Sequence, residues 1–190
     1  MLKREIRKVK GYQEFAFNSL MKIFGEDGVK KEWNVAKDSE DAFTRELYSP
    51  RLDVAVGPFN ISRHVYEDGL RITRTINSNR NFIKKLWQVS ELKSFSFAEF
   101  LSNKNNNPRC MLAIEIENSG SSKHMLGNIA NASILGAIGI VIPFNAKKLA
   151  LCKRIKKYVT FAMEVEKIRG VFKNVLIINK EKFLRIINDV

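Results

Sequence analysis

Cysteine and histidine are scarce, with two of each in 190 residues. Cys110 and Cys152 stand apart, without partners at metal-ligand spacing, so a zinc or iron–sulfur centre is excluded. Reduced thiols are the expectation, and a disulfide joining the two stays open on sequence alone. Glycine-rich phosphate loops are missing too: neither a P-loop nor a Gly-x-Gly-x-x-Gly run occurs. The longest apolar run, Ile129 to Phe144, is interrupted by Asn131, Ser133, Gly136, Gly139 and Pro143. It is too short and too broken to span a membrane. The opening MLKREIRKVK is charged throughout and lacks the order of a secretory signal, so a cytoplasmic protein with no membrane partner is expected. Acids are in short supply as well, 20 Asp and Glu against 33 Lys and Arg, which leaves a formal charge of +13.

What is present is a hydrophobic fraction of 45% with 13 Phe, enough for one domain over residues 1–190 with a sizeable core. The positive excess favours a polyanionic partner, nucleic acid above all. A lysine-rich solvated surface is the bland alternative. Phe15, Leu20, Ile23 and Phe24 fit one face of a helix over about 12–24, ended by GEDG. Asp38 or Ser39 caps a second expected helix through Ala42, Phe43 and Leu47 up to Pro50. Leu52, Val54 and Val56 then alternate with Asp53 and Ala55 in a short strand closed by Gly57-Pro58.

The Asp-Gly pair within HVYEDGLRITRTI predicts a hairpin over 61–80. Helical spacing follows over 80–102, with a break near Ser94, and SNKNNNPR reads as a loop. Beyond it come a strand at 111–117, a helix at 123–135, a buried strand at 138–143 and a basic helix at 146–168. A strand at 175–178 and a helix at 180–188 close the chain. The class is α/β, a mixed β-sheet flanked by helices.

Glu115 and Glu117 sit one residue apart inside an apolar strand. Side chains at i and i+2 share a face, about 6.6 Å apart along the strand, so the two acids project together and Ile114 and Ile116 point the other way. An edge strand with one solvated face would carry such acids for no chemical reason. Buried, the pair would need a cation to offset its cost. Asp53, early in another apolar strand, supplies a third carboxylate for an oxygen cage suited to Mg²⁺. Its alternative is a strand-start residue bonded to a backbone amide. Small residues in GNIANASILGAIG (Gly127, Ala130, Ala132, Gly136, Ala137) let the intervening helix lie close on the sheet.

SPRLDVAVGP followed by LAIEIEN, a helix and an apolar strand resembles the PD-(D/E)xK nuclease superfamily, the restriction-endonuclease-like fold. The resemblance covers about 40–143, with an insertion at about 60–108 and extra C-terminal strand and helices outside the common core. It implies a core of helix, three strands, helix, strand. It implies that Asp53 and Glu115 hold Mg²⁺ (Mn²⁺ substituting), with the Ile116 backbone carbonyl as a further ligand. The third position holds Glu117 where the family usually has Lys; that Glu-x-Glu version resembles some type II restriction enzymes. Lys123, six residues on, is a candidate to supply the missing positive charge. Glu46, and less so Asp41, resembles an auxiliary acid of the metal site. Their plain alternatives are a solvated helix-start lysine and exposed helix acids. His124 is a lone His beside Lys123, and His64 has no assigned role.

The implied activity is Mg²⁺-dependent hydrolysis of double-stranded DNA by a type II restriction endonuclease, acting as a homodimer. A repair or junction nuclease, or a non-catalytic nucleic-acid-binding protein, is the alternative. Candidate phosphate contacts are Lys3, Arg4, Arg7, Lys8 and Lys10, then Arg71, Arg74, Arg80, Lys84 and Lys85, then Lys153, Arg154, Lys156 and Lys157.

Overall fold

The computed structural model describes residues 8–35, 50–60, 65–93, 95–118, 121–167 and 172–189. The expected helix through Ala42 and Leu47 lies outside them, as do Lys3, Arg4, Arg7, Asp41, Glu46 and His64. The described chain is an α/β structure around one mixed sheet. Its helices are α1 (Val9–Phe24), α2 (Val65–Ser78), α3 (Arg80–Val89), α4 (Phe97–Ser102), α5 (Ser122–Leu135), α6 (Ala146–Glu164) and α7 (Lys180–Asn188). Five strands, β1 (Val29–Asn34), β2 (Arg51–Val56), β3 (Cys110–Glu117), β4 (Gly136–Pro143) and β5 (Val175–Ile177), lie in sequence order across the sheet. β1–β2 and β2–β3 pair antiparallel, while β3–β4 and β4–β5 pair parallel.

The β3–α5–β4 crossover is why β3 and β4 are apolar almost end to end. Strands covered by helices on both faces read as continuous hydrophobic runs, and every residue of these two is buried. Leu112, Ile114, Ile138 and Ile140 pack with Tyr12 of α1, Ile72 of α2, Ile83 of α3 and Phe183 of α7. Ala113 and Val141 pack on the opposite side with Met125 and Ile129 of α5 and Cys152 of α6. Asn174 fastens the end of α5 to β5: its Nδ2 donates to the Ser133 and Gly136 carbonyls, and Ser133 Oγ donates to its Oδ1.

Two stretches differ from the sequence expectation. Where a hairpin was expected over 61–80, the described residues from Val65 to Ser78 form helix α2, because Ile72 and Ile76 stand four apart and both are buried. That helical period outweighs a single Asp-Gly turn signal, and Glu67 and Asp68 favour the positive end of the helix by occupying its first turn. The helix over 80–102 is two helices. α3 stops at Val89, and α4 is capped by Ser96, whose Oγ accepts from the Glu99 N–H while Glu99 Oε2 accepts from the Ser96 N–H. β1 was not foreseen; its burial does not alternate, with buried Val29 and Trp33 separated by half-buried Lys30 and exposed Lys31 and Glu32.

Between α3 and α4 the chain covers the β5 edge. The Glu91 N–H donates to the Ile177 carbonyl at 2.8 Å, and the Glu91 carboxylate receives Lys153 Nζ at 2.8 Å and Lys182 Nζ at 2.7 Å. The hydrogen bonds from those two lysines pull Glu91 below its ordinary 4.5. The unfolded chain therefore takes up the proton first as pH falls, and this contribution, full above 4.5, disappears as pH drops through the folded value. Glu91→Gln is expected to cost about 1 kcal/mol in urea melts at neutral pH. The same substitution should cost nothing in strong acid.

Candidate active site

β3 is the third of five strands, so its two acids do not lie on a solvated edge. Glu115 is 3% exposed and Glu117 is 1% exposed, both on the side covered by α5. Each meets an amide of that helix. Asn131 Nδ2 donates to Glu115 Oε1 at 3.5 Å, and Asn128 Nδ2 donates to Glu117 Oε2 at 2.8 Å. The spacing follows from periodicity. Two residues along a strand advance about 6.6 Å and three along a helix about 4.5 Å, so a helix running back along the strand sets one amide over each acid. Close approach is secured by Gly139 on β4, where a Cβ would stand 2.8 Å from the Ala132 carbonyl of α5.

Asp53 enters from β2. The β2–β3 ladder pairs Val56 with Leu112, Ala55 with Ala113 and Val54 with Ile114, and there backbone pairing ends. One residue further, the same register brings Asp53 opposite Glu115, and side chains take over the bonding. Asp53 Oδ2 accepts from the Ile116 N–H at 2.6 Å, and the Glu115 carboxylate accepts from the Asp53 N–H. Asp53 is thus both a carboxylate facing Glu115 and the backbone-bonded residue of the plainer reading.

The row continues to Glu32, which sequence reasoning missed. On β1 the pairs run from Val29–Val56 to Lys31–Val54 and resume at Trp33–Leu52, omitting the rung that faces Glu32 to Asp53. Glu32 adopts a φ of 51°, left-handed backbone that a non-glycine residue takes only where its surroundings hold it. Arg51 Nε holds Glu32 Oε2 at 2.8 Å. Gln13 Nε2 reaches Glu32 Oε1 at 2.7 Å and the Asp53 carbonyl at 3.0 Å. No local pattern flags Glu32 or Gln13. Asn128 and Asn131 did leave a signal, three apart on the helix that follows the acids.

The electrostatics record the crowding. Burial foremost pushes Asp53 from 3.8 up to about 6, against the Ile116 N–H that lowers it, with the Glu32 and Glu117 charges adding to the rise. Burial again leads for Glu115, up to about 9, reinforced by the Asp53 and Glu117 charges. Acids that raise one another in this way are short of positive charge. The set is all hard oxygen, suited to Mg²⁺, which binds through one or two carboxylates and retains waters. Among the described residues, no group of three or more His, Cys, Asp or Glu is arranged to hold a metal ion by itself. What the described residues bring together is the facing pair Asp53 and Glu115, with Glu117 two residues along the same strand.

Of the other candidates, Lys123 and His124 are exposed in the first turn of α5, where the Lys123 N–H bonds Ser121 Oγ. Arg71, Arg74, Arg80, Lys84 and Lys85 are exposed on α2 and α3, although Arg71 Nη2 is bonded to the Phe59 carbonyl. The KRIKK cluster separates. Arg154 and Lys157 are exposed, but Lys153 is paired with Glu91 and Lys156 is buried, its Nζ donating to the Val175 carbonyl. Adjacent charges spread around a helix, and α6 turns two of these four inward; Lys156 is corrected from phosphate contact to internal residue. Among the described residues no helix is long and apolar enough to cross a membrane.

No family model, curated protein or solved structure matches the chain.

Proposed function

We propose that the chain is a Mg²⁺-dependent endonuclease that hydrolyses phosphodiester bonds of double-stranded DNA, in the manner of a type II restriction enzyme. The observation that carries this reading is the interlock of Asp53 and Glu115 where the β2–β3 ladder opens, with Glu117 buried beside them. The order α1, β1, β2, β3, α5, β4 is compatible with it once α2, α3 and α4 are taken as an insertion between β2 and β3 and the core is begun at α1, ahead of the span of about 40–143, since the PD-(D/E)xK core that the sequence resembles is helix, three strands, helix, strand. A formal charge of +13 suits a polyanionic substrate.

In this reading Asp53 and Glu115 would hold Mg²⁺, helped by the Ile116 carbonyl. When bound, the ion supplies charge neutralisation at the scissile phosphate and a lowered pKa for water. Asn128 fixes the Glu117 carboxylate through Oε2, and that carboxylate takes the proton released as water attacks phosphorus. Asn131 and the Asp53 N–H orient Glu115. Arg51 and Gln13 hold Glu32 behind Asp53, where its charge discourages the Asp53 carboxylate from standing without a cation. Lys123 and Glu46 are auxiliary candidates on the resemblance alone. Cutting both strands requires two such sites and hence a symmetric pair of chains.

The test is incubation of the purified chain with plasmid and phage DNA, with Mg²⁺, with Mn²⁺ and with chelator. Discrete fragments in metal alone are expected, abolished at least a hundredfold by Asp53→Ala, Glu115→Ala or Glu117→Ala (order of magnitude for loss of one electrostatic or acid–base contribution). Cleavage retained in all three variants refutes the site. Tight DNA binding without cleavage in either metal identifies a binding protein instead, and preference for branched DNA a repair nuclease.

A further inference from the structure

The far edge of the sheet carries a second feature, built by α6, the β5 edge and the turn after α3. A cavity of about 310 Å³ there is lined by Leu92, Lys93, Lys157, Thr160 and Phe161. That size lies within the ~300–1,000 Å³ range of small-ligand sites. It shares Leu92, Lys93 and Lys156 with an adjoining recess that reaches Trp87, Phe95 and Lys173. Four lysines thus line the two cavities against one acid, Glu164. The aromatic rings interleave with them: Lys93 Nζ stands 5.2 Å from the Trp87 ring and Lys173 Nζ 5.8 Å from that of Phe95. Phe161 is 58% exposed, and Tyr158, one turn earlier on α6, is 65% exposed.

Charge and shape together select the occupant. An apolar protein partner would have to desolvate the lysines without return. A bilayer surface is broad and cannot fill a recess walled by two segments. Duplex DNA keeps its bases stacked internally, so exposed rings gain nothing from it. A single strand offers both a planar base for an open ring and phosphates at intervals for the lysines.

We propose that this groove binds single-stranded nucleic acid, with a base stacked on Phe161 and its flanking phosphates held by Lys93, Lys157 and Lys173. The site shares no lining residue with the carboxylates and goes beyond the nuclease reading, because occupancy requires no catalysis. Lys156 is a floor residue: its amine is spent on the Val175 carbonyl, and burial pushes it down to about 8.

The test is fluorescence anisotropy in chelator, using a labelled oligothymidylate about a dozen nucleotides long, the span of one such site. A hairpin duplex of equal length is the comparison. The single strand is expected to bind at least tenfold tighter. Phe161→Ala should weaken it about tenfold, the loss of one stacked base. Lys93→Glu with Lys157→Glu should weaken it further and lower the salt slope by about two. These side chains are exposed, so melting curves should match the native chain. Trp87 provides a second readout, quenched by the oligonucleotide in a Trp33→Phe background. Binding is read in chelator, where no metal-dependent cleavage runs, which separates this proposal from the fate of the cleavage reading. Equal affinity for duplex and single strand, or native affinity in the groove variants, overturns it. So does co-sedimentation with phosphatidylserine vesicles that those variants lose while oligonucleotide binding persists, an outcome that assigns the groove to lipid.

Discussion

Glu115→Gln is expected to melt at a higher temperature than the native chain at neutral pH and to cut no DNA. The reason lies in the direction of its shift, from 4.5 in an ordinary glutamate to about 9 in the fold. Below 4.5 folded and unfolded states are both protonated there, and Glu115 contributes nothing to pH dependence. Between 4.5 and about 9 the unfolded chain gives up the proton that the folded chain keeps, so stability falls as pH rises. Asp53 acts in the same direction between 3.8 and about 6. At neutral pH the Glu115 penalty is on the order of 2–3 kcal/mol. Glutamine removes it at nearly constant shape: Oε1 still accepts from Asn131, and the NH₂ stands where the protonated acid carries its hydrogen, with no proton to lose on unfolding. In a chain of this size the gain is about 5–10 °C in melting temperature. The difference should vanish in acid below the ordinary glutamate range. Mg²⁺ should raise the native melting temperature, by mass action on the folded state, and leave the variant unmoved. A variant that melts lower at neutral pH, or a native chain indifferent to Mg²⁺, contradicts the account. Stability given up at a cluster of acids is the usual mark of a site kept for chemistry.

Gly139→Val is expected to be strongly damaging to the crossover. A Cβ at 139 stands 2.8 Å from the carbonyl carbon and oxygen of Ala132 and 3.0 Å from Val175 Cγ2. The first two atoms are helix backbone and cannot rotate away. Either the fold absorbs about 3 kcal/mol of overpacking, or α5 lifts from the sheet. Lifting would withdraw Asn128 and Asn131 from Glu117 and Glu115, so activity should fall even where the fold survives. Gly127 on the same helix is the control, since a Cβ there meets nothing within 4 Å. Gly127→Ala should be stabilising by about 0.5–1 kcal/mol through helix propensity. Urea melts of the two variants separate close packing from propensity. Equal behaviour would show that the approach of α5 to β4 is not tight.

Local order along the C-terminal half was legible in the residues. From Cys110 to Asn188 the expected succession of strands and helices is the observed one, with ends differing by a few residues. Apolar periodicity is a short-range property, and covered parallel strands make it nearly continuous. The i, i+2 projection of Glu115 and Glu117 was equally readable, because a strand alternates wherever it lies in a sheet. α2 was misread because Asp-Gly signals a turn only when the flanking periods also favour strands.

The chain itself thus determined its apolar strands, its α/β class, its positive excess and a pair of acids on one face. Only tertiary structure decided that β3 lies at the centre of the sheet, which turns an acidic face from a solvated edge into a buried cluster. It also decided that Asp53 and Glu32 fall on the same rung, that Lys156 points inward, and that Lys93 and Phe161 border one groove. The physical reason is common to all of these. Strand neighbours and helix rotation are set by contacts between residues far apart along the chain, and no local pattern of side chains carries the sum of those contacts.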